Sequence, residues 1–290
     1  MSVWQAAILG LIQGLAEFLP VSSSGHLVLG EYLLGIEATD DIAFEVFVHF
    51  GTVLSICVVY FSRIKGLIGK GVPLLFRPSR WKAALAPGRI EYTEGDTLDY
   101  APHEAPEGTP SLRLVLYILL SMIPTGIIYV LFKENLEALF GDPHAVLGML
   151  VVTGILLLLI RFRPNPDGEY STGKALLAGL AQGAAMIPGI SRSGSTIATS
   201  IYLNVNRKDA ADFSFLMSLP VIVGATLIKT LELVESGAQV DWAPILVGTV
   251  VAFATGIVAI KIVLSFVQQG RLQYFAYYCF TVAALGFLLI

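Results

Sequence analysis

Six stretches of this chain run for 16 to 19 residues without a charged side chain, which limits what it can fold into. The longest are 114–132, 242–260 and 272–290, and 46–62, 145–160 and 213–228 are slightly shorter. About 20 helical residues cross a hydrocarbon core roughly 30 Å thick. Only 14% of the residues are charged, against about 25% in a typical soluble domain. With 55% hydrophobic residues and a mean hydropathy of +0.75, a soluble helical protein would have too little polar surface. The expectation is an all-α integral membrane protein. The N-terminus lacks the basic region of a cleavable signal peptide, and a polar cluster stands where a small-residue cleavage motif would fall. Cys57 and Cys279 both lie in apolar runs and fit neither a disulfide framework nor a thiolate metal site.

Against that background the stretch from Gln13 to His26, QGLAEFLPVSSSGH, is anomalous. It sets an amide, a carboxylate, three consecutive hydroxyls and an imidazole into apolar sequence. Ionisable groups in such a setting are functional candidates by default. A partial echo, QGAAMIPGISRSGST, runs from Gln182 to Thr196. Both begin Gln-Gly and reach Ser-Gly eleven residues later, and Phe44 and Phe213 keep the same 169-residue offset. Pro20 with Ser22–Gly25, and Pro188 with Gly189 and Gly194, read as breaks between short helices. Irregular backbone at membrane depth is tolerated only where protein or a watery cavity surrounds it. Two re-entrant helix-loop-helix segments are therefore expected, the first near 2–19 and 24–34 and the second over 173–204.

Six transmembrane helices are expected, near 42–62, 111–132, 144–161, 210–230, 242–263 and 272–290. Pro124 is a candidate kink in the second. The acidic residues Asp40, Asp41 and Glu45 border the first, and Glu134, Glu137 and Asp142 make a short connection after the second. Hydrophilic stretch 63–110 begins with seven Lys or Arg residues between Arg63 and Arg89, and its tail is acidic and Pro-rich. It reads as a surface loop with a short amphipathic helix near 64–76 and no catalytic part. If both termini face outside, the inner loops hold Arg161, Arg163, Arg207, Lys208 and Arg271, as the positive-inside rule requires. Each broken segment returns to its own side and three spans separate the two, so they enter from opposite faces. The chain is thus expected to be one polytopic domain, an inverted-topology repeat with halves of about 1–162 and 173–290. Such folds place their polar site near the midplane.

Gln13 and Glu17 share a helix face at i and i+4. Ser22, Ser23 and Ser24 serve as caps or as reactive hydroxyls, and His26 stands beside them as an activating base. His49, isolated near the start of a span, is as suited to packing as to reaction. Arg192 is the only basic residue between Lys174 and Arg207. Its planar fork matches phosphate oxygens, and the simplest structural alternative pairs it with Glu17. Ser191, Ser193, Ser195 and Thr196 add donors, Gly194 exposes its N–H, and a helix starting near Ser193 would aim its N-terminus at the anion. Together these groups suit a phosphorylated amphiphile, with a hydroxyl or water attacking phosphorus. Phosphoryl transfer is mostly positioning and charge neutralisation, which this inventory can supply. Glu17 would hold a divalent cation, Mg2+ first and Ca2+ second, with Gln13 as a neutral ligand, or would assist proton transfer. A transporter or flippase for a polyprenyl phosphate or other anion is the alternative. Nothing points to nucleic acid, and a homodimer is left open.

These motifs resemble the bacitracin-resistance family of undecaprenyl-diphosphate phosphatases. Gln13-Gly-Leu-Ala-Glu17 matches the family's carboxylate motif, Ser22-Ser23-Ser24-Gly25-His26 its serine-histidine element, and Pro188 through Thr196 its arginine motif. The resemblance covers nearly the whole chain. It implies removal of the terminal phosphate of an isoprenyl diphosphate lipid in the bacterial inner membrane, acting on the periplasmic side and recycling the carrier for peptidoglycan synthesis. It further implies Ser23 as nucleophile, with His26, Glu17 and Arg192 as its partners. Gln13 stands where other members carry Glu, which removes one ligand charge.

Overall fold

The computed structural model describes residues 1–36, 42–86, 108–139, 142–236 and 241–289. Asp40, Asp41 and the acidic stretch 91–107 lie outside them. The helices in chain order are α1 (Val3–Ala16), α2 (Ser23–Leu34), α3 (Ile42–Val59), α4 (Phe61–Gly66), α5 (Val72–Leu75), α6 (Trp81–Leu85) and α7 (Thr109–Leu139). There follow α8 (Pro143–Leu159), α9 (Thr172–Ala184), α10 (Arg192–Tyr202), α11 (Arg207–Ser236), α12 (Trp242–Gln268) and α13 (Gln273–Leu289). Among the described residues there is no strand, only an isolated bridge between Gly168 and Val205.

Four segments are long and apolar enough to cross a membrane: Thr109–Lys133, Pro143–Phe162, Arg207–Glu235 and Trp242–Gln268. A fifth, Ala43–Val59 with Phe61–Leu75, bends by 81° at Tyr60. The chain is an all-α, multi-pass membrane protein. Exposed side chains such as Val130, Val250 and Leu288 would cost a soluble surface dearly but suit contact with lipid. The span expected to reach residue 62 stops at Val59, because Tyr60 OH donates to Asp212 Oδ1 at 2.8 Å and Arg63 pairs with Asp212 Oδ2. The acidic connection expected after residue 132 is helical as far as Leu139. Its Glu, Leu and Ala residues are good helix formers, so charge does not end the helix there. The final helix has 17 residues.

The two broken segments fold as hairpins. With 14 residues, α1 is only about 21 Å long, less than a bilayer core. Its N-terminus carries a capping box between Ser2 and Gln5, and Gln5 Nε2 also donates to Leu34 O at 3.2 Å. The end of α2 therefore returns beside the start of α1. The second hairpin closes in the same way: Tyr170, before α9, shares a 2.6 Å hydrogen bond with Ser200 in α10. Ser171 caps α9, Asp142 caps α8 and Asp241 caps α12, so these ends satisfy their first N–H groups from their own sequence.

Small residues set how closely the hairpins approach the spans. A Cβ added at Gly10 would lie 2.4 Å from Gly248 O on α12, and one at Gly179 would lie 2.0 Å from Ser121 O on α7. Within a bilayer, helix association depends on such close packing because lipid and side chains are equally apolar. Gly10 and Gly179 keep the 169-residue offset of the two motifs. The substitution Gly10→Ala is expected to destabilise the fold by about 1–3 kcal/mol through overpacking, read as a lower Tm in detergent. At Gly126, where a Cβ would meet nothing within 4 Å, the same change should leave Tm nearly unaltered.

Candidate active site

Each hairpin turns where its sequence supplies a break, and the two turns meet. Residues 17–22 separate α1 from α2, and 185–191 separate α9 from α10. Ser193 Oγ donates to Leu19 O at 3.3 Å. A Cβ on Gly194 would be 3.2 Å from Pro20 Cβ, and one on Gly25 would be 3.1 Å from Gly189 Cα. The spans hold both turns in place. Thr153 on α8 donates to Gly189 O at 2.9 Å and accepts from Ser191 N at 3.0 Å. On α13, Cys279 Sγ lies 3.9 Å from Pro20 O.

The second helix of each hairpin starts with the same device. Ser22 Oγ caps α2 by accepting from Gly25 N, and Ser191 Oγ caps α10 by accepting from Gly194 N. Ser22 also pairs with Ser24, and Ser191 with Ser193, at 3.3 Å in both cases. Every one of these residues is related to its counterpart by the 169-residue offset. The same offset relates Ser23 to Arg192, each the first residue of its helix. Two helix N-termini, both favourable to anions, thus carry a hydroxyl in one case and a guanidinium in the other. Ser22 adopts φ 71°, a region that a residue with a side chain enters at a cost of about 1–3 kcal/mol. Strain therefore sits in the turn that presents Ser23.

Glu17, at the end of α1, joins the groups. Arg192 Nη2 donates to its Oε1 at 2.6 Å, and Ser23 Oγ donates to its Oε2 at 2.6 Å. Gln13 Nε2 also donates to Oε2, at 3.1 Å. The Glu17 and Arg192 side chains are 7% and 16% exposed, so the pair is shielded from water. Arg192 makes a further, longer bond to Ser214 O.

Two imidazoles take unequal places around these groups. His26 Nδ1 lies 2.8 Å from Ser22 O, which places the ring proton there. Its Nε2 then accepts from Tyr278 OH at 3.0 Å, and the two rings stack. His26 is one helical turn from Ser23 without a hydrogen bond to it. By the same logic His49 Nδ1 donates to Glu45 O at 2.8 Å, leaving Nε2 4.0 Å from Glu17 Oε2. The sequence left His49 equally suited to packing and reaction; the fold sets it against the carboxylate. Tyr278, one of several tyrosines on α13, carried no signal of its own. The remaining predicted donors divide. Ser191, Ser193, Ser22 and Ser24 line the meeting turns, whereas Thr196 Oγ1 bonds back to Arg192 O and across to Ser214 on α11. Ser195 Oγ is buried without a partner.

Residues 6–285 match the family model described as Bacitracin resistance protein BacA. The chain belongs to this family. An undecaprenyl-diphosphatase of Salinibacter ruber is 49% identical over 293 residues, spanning the whole of both chains. One from Halothermothrix orenii is 39% identical across 97% of this chain and 96% of its own. Another, from Bacteroides fragilis, is 38% identical across 96% and 95%.

For this member of the bacitracin-resistance family, the donor set fits one kind of cation. Among the described residues no three His, Cys, Asp or Glu side chains converge, so they form no closed protein cage. Gln13 Oε1, however, is buried without a hydrogen bond, beside the only carboxylate of the cluster. One carboxylate and one amide oxygen suit a hard cation whose other ligands are phosphate oxygens and water. Removing Glu17 as Glu17→Ala leaves Arg192 buried and unpaired, a change expected to cost about 3–5 kcal/mol. Thermal unfolding in detergent should show that loss, and Arg192→Ala added to it should recover part. Orthophosphate should raise Tm more in Glu17→Ala than in the parent.

Proposed function

We propose that this chain hydrolyses undecaprenyl diphosphate to undecaprenyl phosphate and inorganic phosphate, recycling the lipid carrier for peptidoglycan synthesis and thereby conferring bacitracin resistance. Membership of the family and full-length relatives named undecaprenyl-diphosphatase support the reaction. The observation that carries the chemistry is the 2.6 Å bond from Ser23 Oγ to Glu17 Oε2, beside the guanidinium of Arg192.

In this reading the terminal phosphate enters between the two helix N-termini and draws Arg192 away from Glu17. The guanidinium and the hydroxyls of Ser22, Ser24, Ser191 and Ser193 hold the phosphate oxygens. Charge left on Glu17 then takes the proton of Ser23 as its Oγ attacks phosphorus. The bond from phosphorus to the bridging oxygen breaks, and undecaprenyl phosphate departs. Once Tyr278 OH swings off His26 Nε2, a water gives that nitrogen a proton and attacks the phosphoserine; Glu17 returns its proton to Ser23 as inorganic phosphate leaves, and His26 passes its proton to solvent. Until that step Tyr278 holds the His26 ring. A divalent cation, Mg2+ or Ca2+, would sit at Glu17 and Gln13 Oε1 and neutralise diphosphate charge.

The architecture proposed around this site is an inverted-topology repeat, with α1–α3, α7 and α8 matching α9–α13. Six membrane-crossing helices and two re-entrant hairpins form one polytopic domain in the bacterial inner membrane, with periplasmic termini. Several features support it: the 169-residue register, hairpins closed at their open ends, α1 packed on α12 as α9 packs on α7, and turns pinned by α13 and α8. Because transporters share this architecture, movement of a polyprenyl phosphate is the second reading.

Purified protein in detergent, given a long-chain isoprenyl diphosphate, is expected to release phosphate. Arg192→Ala should lower kcat/KM by about 10²-fold or more. Counterflow in sealed vesicles without hydrolysis would instead favour transport. Ser23→Ala is expected to abolish turnover; near-normal release from it would exclude the phosphoserine and leave direct attack by water. Stringent chelation should stop the reaction and added Mg2+ should restore it, whereas unchanged activity would remove the cation.

A further inference from the structure

Residues 61–85 take no part in the site, yet they are firmly built. At Tyr60 the chain turns by 81° from the direction of α3. It then continues through α4, a π-helical turn at Leu67–Gly71, α5 and α6, against the start of α7. Leu67 and Ala84 are buried, and a Cβ on Gly71 would lie 2.9 Å from Ser111 O. Arg113 of α7 donates to Ala84 O at 3.0 Å and to Ala83 O at 3.3 Å, and Tyr117 donates to Ala86 O at 3.2 Å. Trp81 Nε1 donates to Leu75 O. One side of this arm is therefore fixed to the helix bundle.

Its other side is both apolar and cationic. Phe61, Ile68 and Phe76 are 66%, 62% and 82% exposed, and Trp81 is exposed beside them. Lys65, Arg77, Arg80 and Lys82 are interleaved with them, and none pairs with a carboxylate among the described residues. With α3 set along the bilayer normal, a turn of 81° lays the segment that follows along the bilayer surface. There, large apolar side chains enter the acyl boundary, Trp settles at headgroup level and Lys and Arg meet lipid phosphates. Clusters of such cations select anionic headgroups over zwitterionic ones.

We infer that residues 61–82 form an interfacial arm that binds the anionic phospholipids of the surrounding bilayer. The arm rests on the membrane architecture alone and is independent of the reaction proposed above. The rival occupant of its cationic face is the acidic stretch 91–107 of the same chain.

Trp81 is one of three tryptophans, so Trp4→Phe and Trp242→Phe together leave it as the sole indole reporter. This full-length protein is reconstituted into vesicles of phosphatidylcholine and phosphatidylglycerol, with bromine on the acyl chains of one lipid or the other. Quenching per brominated lipid should be about threefold or more greater from phosphatidylglycerol at low salt, declining toward equality near 1 M salt. Adding Lys65→Gln, Arg77→Gln, Arg80→Gln and Lys82→Gln should equalise the two lipids while phosphate release in detergent is unchanged. The charge-conserving pair Lys65→Arg and Lys82→Arg should keep the preference and controls for misfolding. Equal quenching by both lipids in the parent overturns the inference. So does an absence of quenching by either, which would place the arm off the membrane, as cover by 91–107 would.

Discussion

The contact between Glu17 and Arg192 is the constraint on which the rest of this protein depends. A carboxylate or guanidinium alone at this depth costs several kcal/mol, and even the pair gains little over an apolar packing of similar volume. Each charge is therefore tolerable only while the other, or an anion or cation in its place, is present. Since the residues lie 175 positions apart, two separate turns of the chain must be brought within hydrogen-bond range. Glycines allow it. Gly10 and Gly179 let each hairpin lie on the backbone of a span, and Gly25 and Gly194 let the turns touch. Thr153 and Cys279 then fix the turns from outside.

Within that frame, one backbone device serves two chemical ends. A serine cap, a first helical residue, a second serine and a glycine recur 169 positions apart. The first helical residue is Ser23 in one copy and Arg192 in the other, so the two N-termini present a hydroxyl and a guanidinium to the same carboxylate. The copies also differ one turn earlier, where Glu17 corresponds to Met186. A second carboxylate there would leave Arg192 outnumbered. The difference between the halves, more than their likeness, is what the proposed displacement at phosphorus uses.

Much of this arrangement is written locally in the residues. Polar and glycine breaks in apolar runs marked both hairpins, and a lone arginine between Lys174 and Arg207 required an anion. The cap at Ser191 starts α10 one residue before the expected Ser193. Contacts that depend on distant residues were not legible. Nothing from 46 to 62 announces the bend at Tyr60, because its cause is Asp212 on α11. His26 reads as a partner of its neighbouring serines, and only the folded position of Tyr278 turns its Nε2 elsewhere. His49 had no evident partner until α3 was laid beside the end of α1. The short helix expected near 64–76 is present as α4, a π-helical turn and α5, but period and charge do not reveal the support that Arg113 and Tyr117 give the residues after it.

The two buried ion pairs also bear on whether the two halves of the chain move against each other. Arg192–Glu17 and Arg63–Asp212 both join a residue before 162 to one after 172. Separating Glu17 from Arg192 leaves buried charge uncompensated, at about 3–5 kcal/mol. In the proposed reaction phosphate takes the place of Glu17 at Arg192, so that pair opens as substrate binds. At the other end, Asp212 is held by both Arg63 and Tyr60, and the substrate chemistry offers no group to replace either. A motion that parted these two halves would have to open this second contact as well. Chemistry in a single arrangement needs only Arg192 to change partners. The distribution of buried charge therefore favours hydrolysis in one arrangement over transport.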